Sequence, residues 1–303
     1  VASKFGCDKV CLVLHLDANP GDSAEAMAAA IETLGLSLTA INAKGKKQVA
    51  FTRKALEGAL AGHARARFGT TTELLERPAA KLHGPVSHVR IRTPVLADDG
   101  TRPREERFAP VVQVFWALGG KGSVPGRSDL DRFIAALSRA VPVRVGAAGL
   151  VWAGIERPMA KDARAVAGDM LAAMLARPHA HSNHRALLDT TRAALEPGFW
   201  NFLGPKHLAR LGNPDAAAAF RTHFAASGAS FALFDEAPIE ATREVVDAHA
   251  GLARFLGPLY PPAAVSEIVN GISIPKAAGF GLSRWLARYR DEDLLERVTA
   301  GVR

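Results

Sequence analysis

The sequence predicts an α+β fold, a single compact domain with a mixed, largely antiparallel sheet and packed helices. Three observations carry that expectation. The chain opens with a strand, helix, strand pattern. A run of strong β-formers at 111–118 leads into a capped amphipathic helix. No long polar linker interrupts residues 120–290. At 303 residues, residues 1–303 can form one large domain that buries roughly three quarters of its unfolded surface. With 48% hydrophobic and 22% charged residues the composition excludes wholesale disorder. No stretch offers the ~18 consecutive apolar residues of a membrane span.

The elements follow in order. Val10 to Asp17 reads as a buried strand, with Asn19-Pro20-Gly21 as its turn. Asp22 or Ser23 can cap the next helix, in which Ala24, Met27, Ala28, Ile31 and Leu34 recur at helical spacing. Gly35 ends it, and Leu36 to Ile41 reads as a second strand. The pattern from Lys44 to Leu82 is fainter, with a helix over Val49 to Ala66. Val86 to Arg92 alternates as a strand, followed by a charged loop bracketed by Pro94, Pro103 and Pro110.

Val111 to Leu118 has high β propensity. After a Gly-rich loop, Ser128 stands as a helix cap with Asp131 at the capping-box distance, and Leu130, Phe133, Ile134, Leu137 and Val141 line one face. Pro142 stops that helix. Val143–Val145 and Gly149–Trp152 read as two short strands around a Gly146–Gly149 turn. Later segments are mostly helical: a stripe from Ala163 to Leu175, a helix over His184 to Ala194, and a turn over Lys206 to Leu211. A helix capped by Thr242 runs through Val245, His249, Leu252 and Leu256. Phe199 to Leu203 and Ala229 to Phe234 are the strand-like exceptions. Leu282, Trp285, Leu286 and Tyr289 make a final apolar face.

No constellation of catalytic residues stands out. Gly119-Gly-Lys-Gly-Ser123 lacks the upstream glycine and the Lys-Ser/Thr pair of a phosphate cradle. Its glycines are also misspaced for a dinucleotide fingerprint. There is no strand–Gly-x-Ser-x-Gly–helix elbow. Cys11 reads as a core residue, and Cys7 and Cys11 as free thiols of a reducing cytoplasm. His15 and Asp17 share a strand face without a nucleophile. His249 on an apolar helical face reads as a hydrogen-bonded core histidine. His179, His181 and His184 could converge on zinc, but a polar loop after Pro178 explains them better, since no carboxylate base or fourth ligand accompanies them. The expectation is a protein that is not an enzyme and holds no cofactor.

Charge is uneven. The net charge is +8, with +10 over residues 1–229 and −2 over 230–303. The basic excess peaks between Lys44 and Arg107, which permits a nucleic-acid surface. The simpler reading is a solvated face, because no aromatic residues interleave the basic ones. Two acidic groups lie toward the C-terminus: Asp235 and Glu236, and Asp291, Glu292 and Asp293. Each also serves as a solvated turn or as a first helical turn that complements the dipole.

Three blocks resemble the TsiV-like immunity proteins of bacterial type VI secretion, a family long labelled a domain of unknown function. Pro142-Val-Arg-Val-Gly-Ala-Ala-Gly-Leu-Val-Trp152 resembles its strand–Gly–strand segment. Pro197-Gly-Phe-Trp-Asn-Phe-Leu-Gly204 with Leu208-Ala-Arg-Leu-Gly212 is similar to its central segment. Gly281-Leu-Ser-Arg-Trp-Leu-Ala-Arg-Tyr289 is similar to its closing one. The order and spacing match over roughly residues 110–290, with departures at His179–His184 and at Leu195-Glu-Pro-Gly198. The resemblance implies an α+β fold without catalysis. It implies a cytoplasmic antitoxin whose partner is a cognate secreted toxin, in several relatives a nuclease. Trp200, Asn201, Trp285 and Arg288 carry over as motif positions with a packing role. Asp235, Glu236, Asp291, Glu292 and Asp293 are the residues that could meet a basic toxin cleft. The alternatives are a nucleic-acid-binding protein using residues 44–107 and a zinc-dependent enzyme using His179, His181 and His184.

Overall fold

The strand Lys9–Leu16 (β1) is paired on both edges and buried along its whole length. The computed structural model describes residues 9–43, 47–65, 69–77, 86–93, 110–118, 124–151, 194–195, 198–211, 220–238 and 243–259. After β1 come helix α1 (Ala24–Glu32), strands β2 (Ala40–Ala43) and β3 (Val49–Ala50), helix α2 (Arg53–Ala64), and strands β4 (Thr70–Leu75), β5 (His88–Thr93) and β6 (Val111–Ala117). Then follow helix α3 (Arg127–Ala140), strands β7 (Val143–Val151) and β8 (Trp200–Leu203), and helix α4 (Pro205–Leu211). Strands β9 (Arg221–Ala225) and β10 (Gly228–Ala232) and helix α5 (Arg243–Phe255) complete the described elements.

The strands form one ten-stranded sheet in the order β3-β2-β4-β5-β6-β1-β7-β8-β10-β9. Every pairing among the described strands is antiparallel. Alternation along β1 gives the sheet two different faces. Val10, Leu12, Leu14 and Leu16 point to the first, where Met27 and Ile31 of α1, Leu56 and Leu60 of α2, and Phe133 and Leu137 of α3 join them in one core. Lys9, Cys11, Val13 and His15 point to the second face, in register with Ala117, Phe115, Gln113 and Val111 of β6. That face is buried yet polar: Lys9, His15, His88 and Gln113 are all within it. His88 stacks on Phe115 at 4.2 Å and the Lys9 ammonium lies 5.9 Å from the same ring. At the other end of the second face, Phe255 of α5 packs against Phe231 of β10.

Local chemistry explains the helices. Thr52 caps α2, its Oγ1 accepting from the Ala55 N–H at 3.1 Å. Leu56, Leu60 and His63 then recur at i, i+4 and i+7 and are its buried side. The apolar face expected of α3 is the one observed, with Leu130, Phe133, Ile134 and Leu137 buried.

Several boundaries depart from the sequence expectation. A 3-10 turn over Pro20–Ser23 runs into α1, and Asn19, not Asp22 or Ser23, supplies the side-chain cap by accepting from the Gly21 N–H at 2.9 Å. The second strand starts at Ala40, not Leu36. The helix expected over Val49–Ala66 yields its first two residues to β3. The α3 cap is Gly126, whose N–H is met by Asp129, so Ser128 and Asp131 do not form the capping box. The two strands expected around Gly146–Gly149 are one continuous strand, β7. Gly146 lies so close to the Leu14 side chain that a Cβ there would collide with it. The glycines therefore thin a packed strand and do not turn it. Strands β4 and β9 were not expected.

Candidate partner interface

The Trp-Asn motif is built into the sheet. Asn201 is buried and closes a small ring: its Nδ2 donates to the Gly198 carbonyl at 2.8 Å, and its Oδ1 accepts from the Gly198 N–H at 3.1 Å. Gly198 sits directly against the Ala148 backbone, where a Cβ would have no room. Trp200 shares the first face with Ala148 and Ala232, its register partners, whose small side chains admit the indole. Its Nε1 donates to Asp131 Oδ1 at 2.9 Å, and the same oxygen accepts from Ser230 Oγ at 2.6 Å. Asp131 thus ties α3 to β8 and β10. Trp200 and Asn201 are both buried in the sheet. Trp285 and Arg288 lie outside the described residues.

Asp235 and Glu236 stand at the corner after β10, both exposed. Asp235 is 62% exposed but engaged. Its Oδ1 lies 3.2 Å from Arg127 Nε, its Oδ2 pairs with Arg221, and its carbonyl accepts from the Arg127 N–H at 2.7 Å. The corner therefore presents two guanidinium groups around one carboxylate, beside the exposed carboxylate of Glu236. Asp291, Glu292 and Asp293 lie outside the described residues, as do His179, His181 and His184. Among the described residues no group of three His, Cys, Asp or Glu could hold a metal ion.

The histidines and cysteine of the core have structural surroundings. His249 Nδ1 donates to the Val245 carbonyl at 2.7 Å within α5. Cys11 is buried, its thiol donating to the Leu12 carbonyl at 3.5 Å. His63 bridges α2 to the sheet, with Nδ1 2.8 Å from Thr93 Oγ1 and Nε2 2.9 Å from Thr72 Oγ1. Burial there pushes its imidazole down to about 4. In the basic segment, Arg53 pairs with Glu32 and Glu57, and Arg90 with Glu73. Part of that segment's positive charge is thus met within the chain. No helix among the described residues is long and apolar enough to cross a membrane.

A cleft of about 310 Å³ lies between the end of α1, the start of α3 and the ends of β4 to β6, and no local sequence motif marks it. Trp116, Leu130, Pro125 and Ser87 form its buried floor. Gly35, Ser37, Asp129 and Arg132 form its exposed rim, with Glu76 half-buried between floor and rim. Asp129 and Arg132 pair with each other. Glu76 accepts the Ser87 N–H through Oε2 at 3.2 Å and has no ion-pair partner among the described residues. These residues come from five separated segments with no shared periodicity, so only the folded sheet brings them together.

No family model and no curated protein matches the chain. Among solved structures it is similar to the Pseudomonas aeruginosa T6SS protein PA0821, with a TM-score of 0.61 and 14% identity over 98% of this chain and 85% of that one. At that identity the likeness is one of fold, an α+β architecture common to the two proteins along nearly all of this chain.

Proposed function

We propose that this protein serves a type VI secretion system as an immunity protein, a cytoplasmic, non-catalytic inhibitor that binds a cognate secreted toxin and covers its active site. The observation that carries the reading is the fold shared over 98% of the chain with a protein named for that system. The sequence blocks at 142–152 and 197–212 support it, since they resemble the TsiV-like immunity proteins and supply β7, β8 and the Gly198–Asn201 ring.

Inhibition of this kind needs a rigid surface of at least ~1,000 Å² complementary to one partner. A ten-stranded sheet backed by three helices provides the rigidity. The charged corner of Arg127, Arg221, Asp235 and Glu236 and the adjoining start of α3 provide directional groups. A nuclease cleft attracts phosphate and is basic, and Glu236 with Asp291, Glu292 and Asp293 would meet it electrostatically. Since the net charge is +8, such mimicry would involve those acids and not the chain as a whole.

Co-expression with the product of the neighbouring toxin gene tests the reading. The expected outcome is a complex of the two chains that survives gel filtration. Separate elution of the two would contradict it.

A further inference from the structure

We propose that the cleft beside α3 receives an arginine side chain of the protein partner. The proposal rests on the immunity reading and names the contact chemistry of one part of its surface. Its volume of about 310 Å³ sits at the low end of the ~300–1,000 Å³ range of ligand pockets. That size suits a single long side chain better than a cofactor. A buried floor of Trp116, Leu130 and Pro125 under a polar rim is the anatomy of a pocket that takes an interface anchor.

The charge in the lining selects the anchor. Arg132 and Asp129 satisfy each other, which leaves Glu76 as the carboxylate without a counter-ion among the described residues. Its Oε2 is held by the Ser87 N–H at 3.2 Å, which fixes the carboxylate's orientation. Its Oε1 has no hydrogen-bond partner among the described residues. A half-buried carboxylate with one oxygen available, in a cleft whose buried floor includes Trp116, matches a guanidinium. The planar fork donates to the carboxylate and stacks on aromatic surface, and it sheds water more readily than an ammonium. The alkyl stem of the arginine would lie along Leu130 and Pro125.

Two measurements separate this proposal from the immunity reading. The first needs no toxin: N-acetyl-arginine amide is titrated into the protein and the Trp116 indole N–H is followed by NMR, with Trp116→Phe to assign the signal. A saturable shift is expected from the arginine probe and none from N-acetyl-norleucine amide. Glu76→Gln keeps the acceptor for Ser87 and removes the charge, and it should weaken the probe about tenfold, the size of one charge-assisted hydrogen bond. Absence of a saturable shift with the wild-type chain overturns the proposal.

The second measures affinity for the neighbouring toxin. Glu76→Gln and the rim-filling Ser37→Trp should each raise Kd about tenfold or more, with unchanged circular dichroism. A complex whose Kd moves less than about twofold in both variants overturns the proposal and leaves the immunity reading standing. If the wild-type chain binds no toxin, the immunity reading fails and takes the partner's arginine with it, whatever the probe does.

Discussion

Asp131 is half-buried and accepts from two buried donors, the Trp200 indole and the Ser230 hydroxyl. Asp131→Ala leaves both unpaired, and each orphaned group costs ~1–3 kcal/mol. Urea denaturation should therefore show a loss of about 2–6 kcal/mol, and a loss below about 0.5 kcal/mol would mean the pair contributes little. Gly198 sets a stricter limit. Its Cα lies against the Ala148 backbone, which cannot move aside without disturbing β7. Gly198→Ala should destabilise by about 3 kcal/mol or more, the range of backbone-level overpacking. Thermal melting of the variant measures it, and a wild-type melting temperature would contradict the close approach. Of these residues, Trp200 and Asn201 could be picked out in sequence as motif positions. Asp131 could not be given its role, because its partners are 69 and 99 residues away. Its position after Ser128 pointed to a local cap that Gly126 and Asp129 supply instead.

At the scale of elements, α2 is docked by a neutral histidine. His63 titrates near 6.5 when unfolded and near 4 when folded. Between those values the unfolded chain holds a proton that the folded chain does not. Stability from this group is complete above pH 6.5, declines as pH falls toward 4, and is level below that. The full difference is roughly 3 kcal/mol. Urea midpoints measured at pH 7.5, 5.5 and 4 should fall in that order, and His63→Gln should flatten that part of the profile. An equally steep fall in the variant would assign the effect to other groups. Helix α3 contributes through its apolar face, and Phe133→Ala should cost about 3–5 kcal/mol by opening a cavity over β1. This helix was legible in sequence because five apolar residues recur at its period and Pro142 ends it. So were β1 and β6, whose apolar runs reflect burial on both faces. β3, β4 and β9 were not legible: β3 spans two exposed residues, and β4 and β9 mix threonine with charged or histidine side chains. Those strands are specified by register with their neighbours, a long-range property.

At the scale of the whole molecule, one antiparallel sheet of ten strands organises the described residues, with three helices on one face and a buried polar layer on the other. Its strand order brings the end of α1, the start of α3 and the ends of β4 to β6 around one cleft, and Asp235 is bound to Arg127 at that same α3 start. Sequence could suggest the fold class and the family resemblance, because both rest on blocks that are contiguous in the chain. It could not assemble the cleft, which exists only through strand order. As an inhibitor of the kind proposed, the chain would act in proportion to its amount, since occupying a partner removes one toxin per complex and turns nothing over. The most direct measurement is therefore a titration of the purified chain against a fixed amount of the neighbouring gene's toxin, scored by the toxin's own activity. The account predicts a linear loss of activity that ends at one equivalent. Full toxin activity at a large excess of the chain would contradict it.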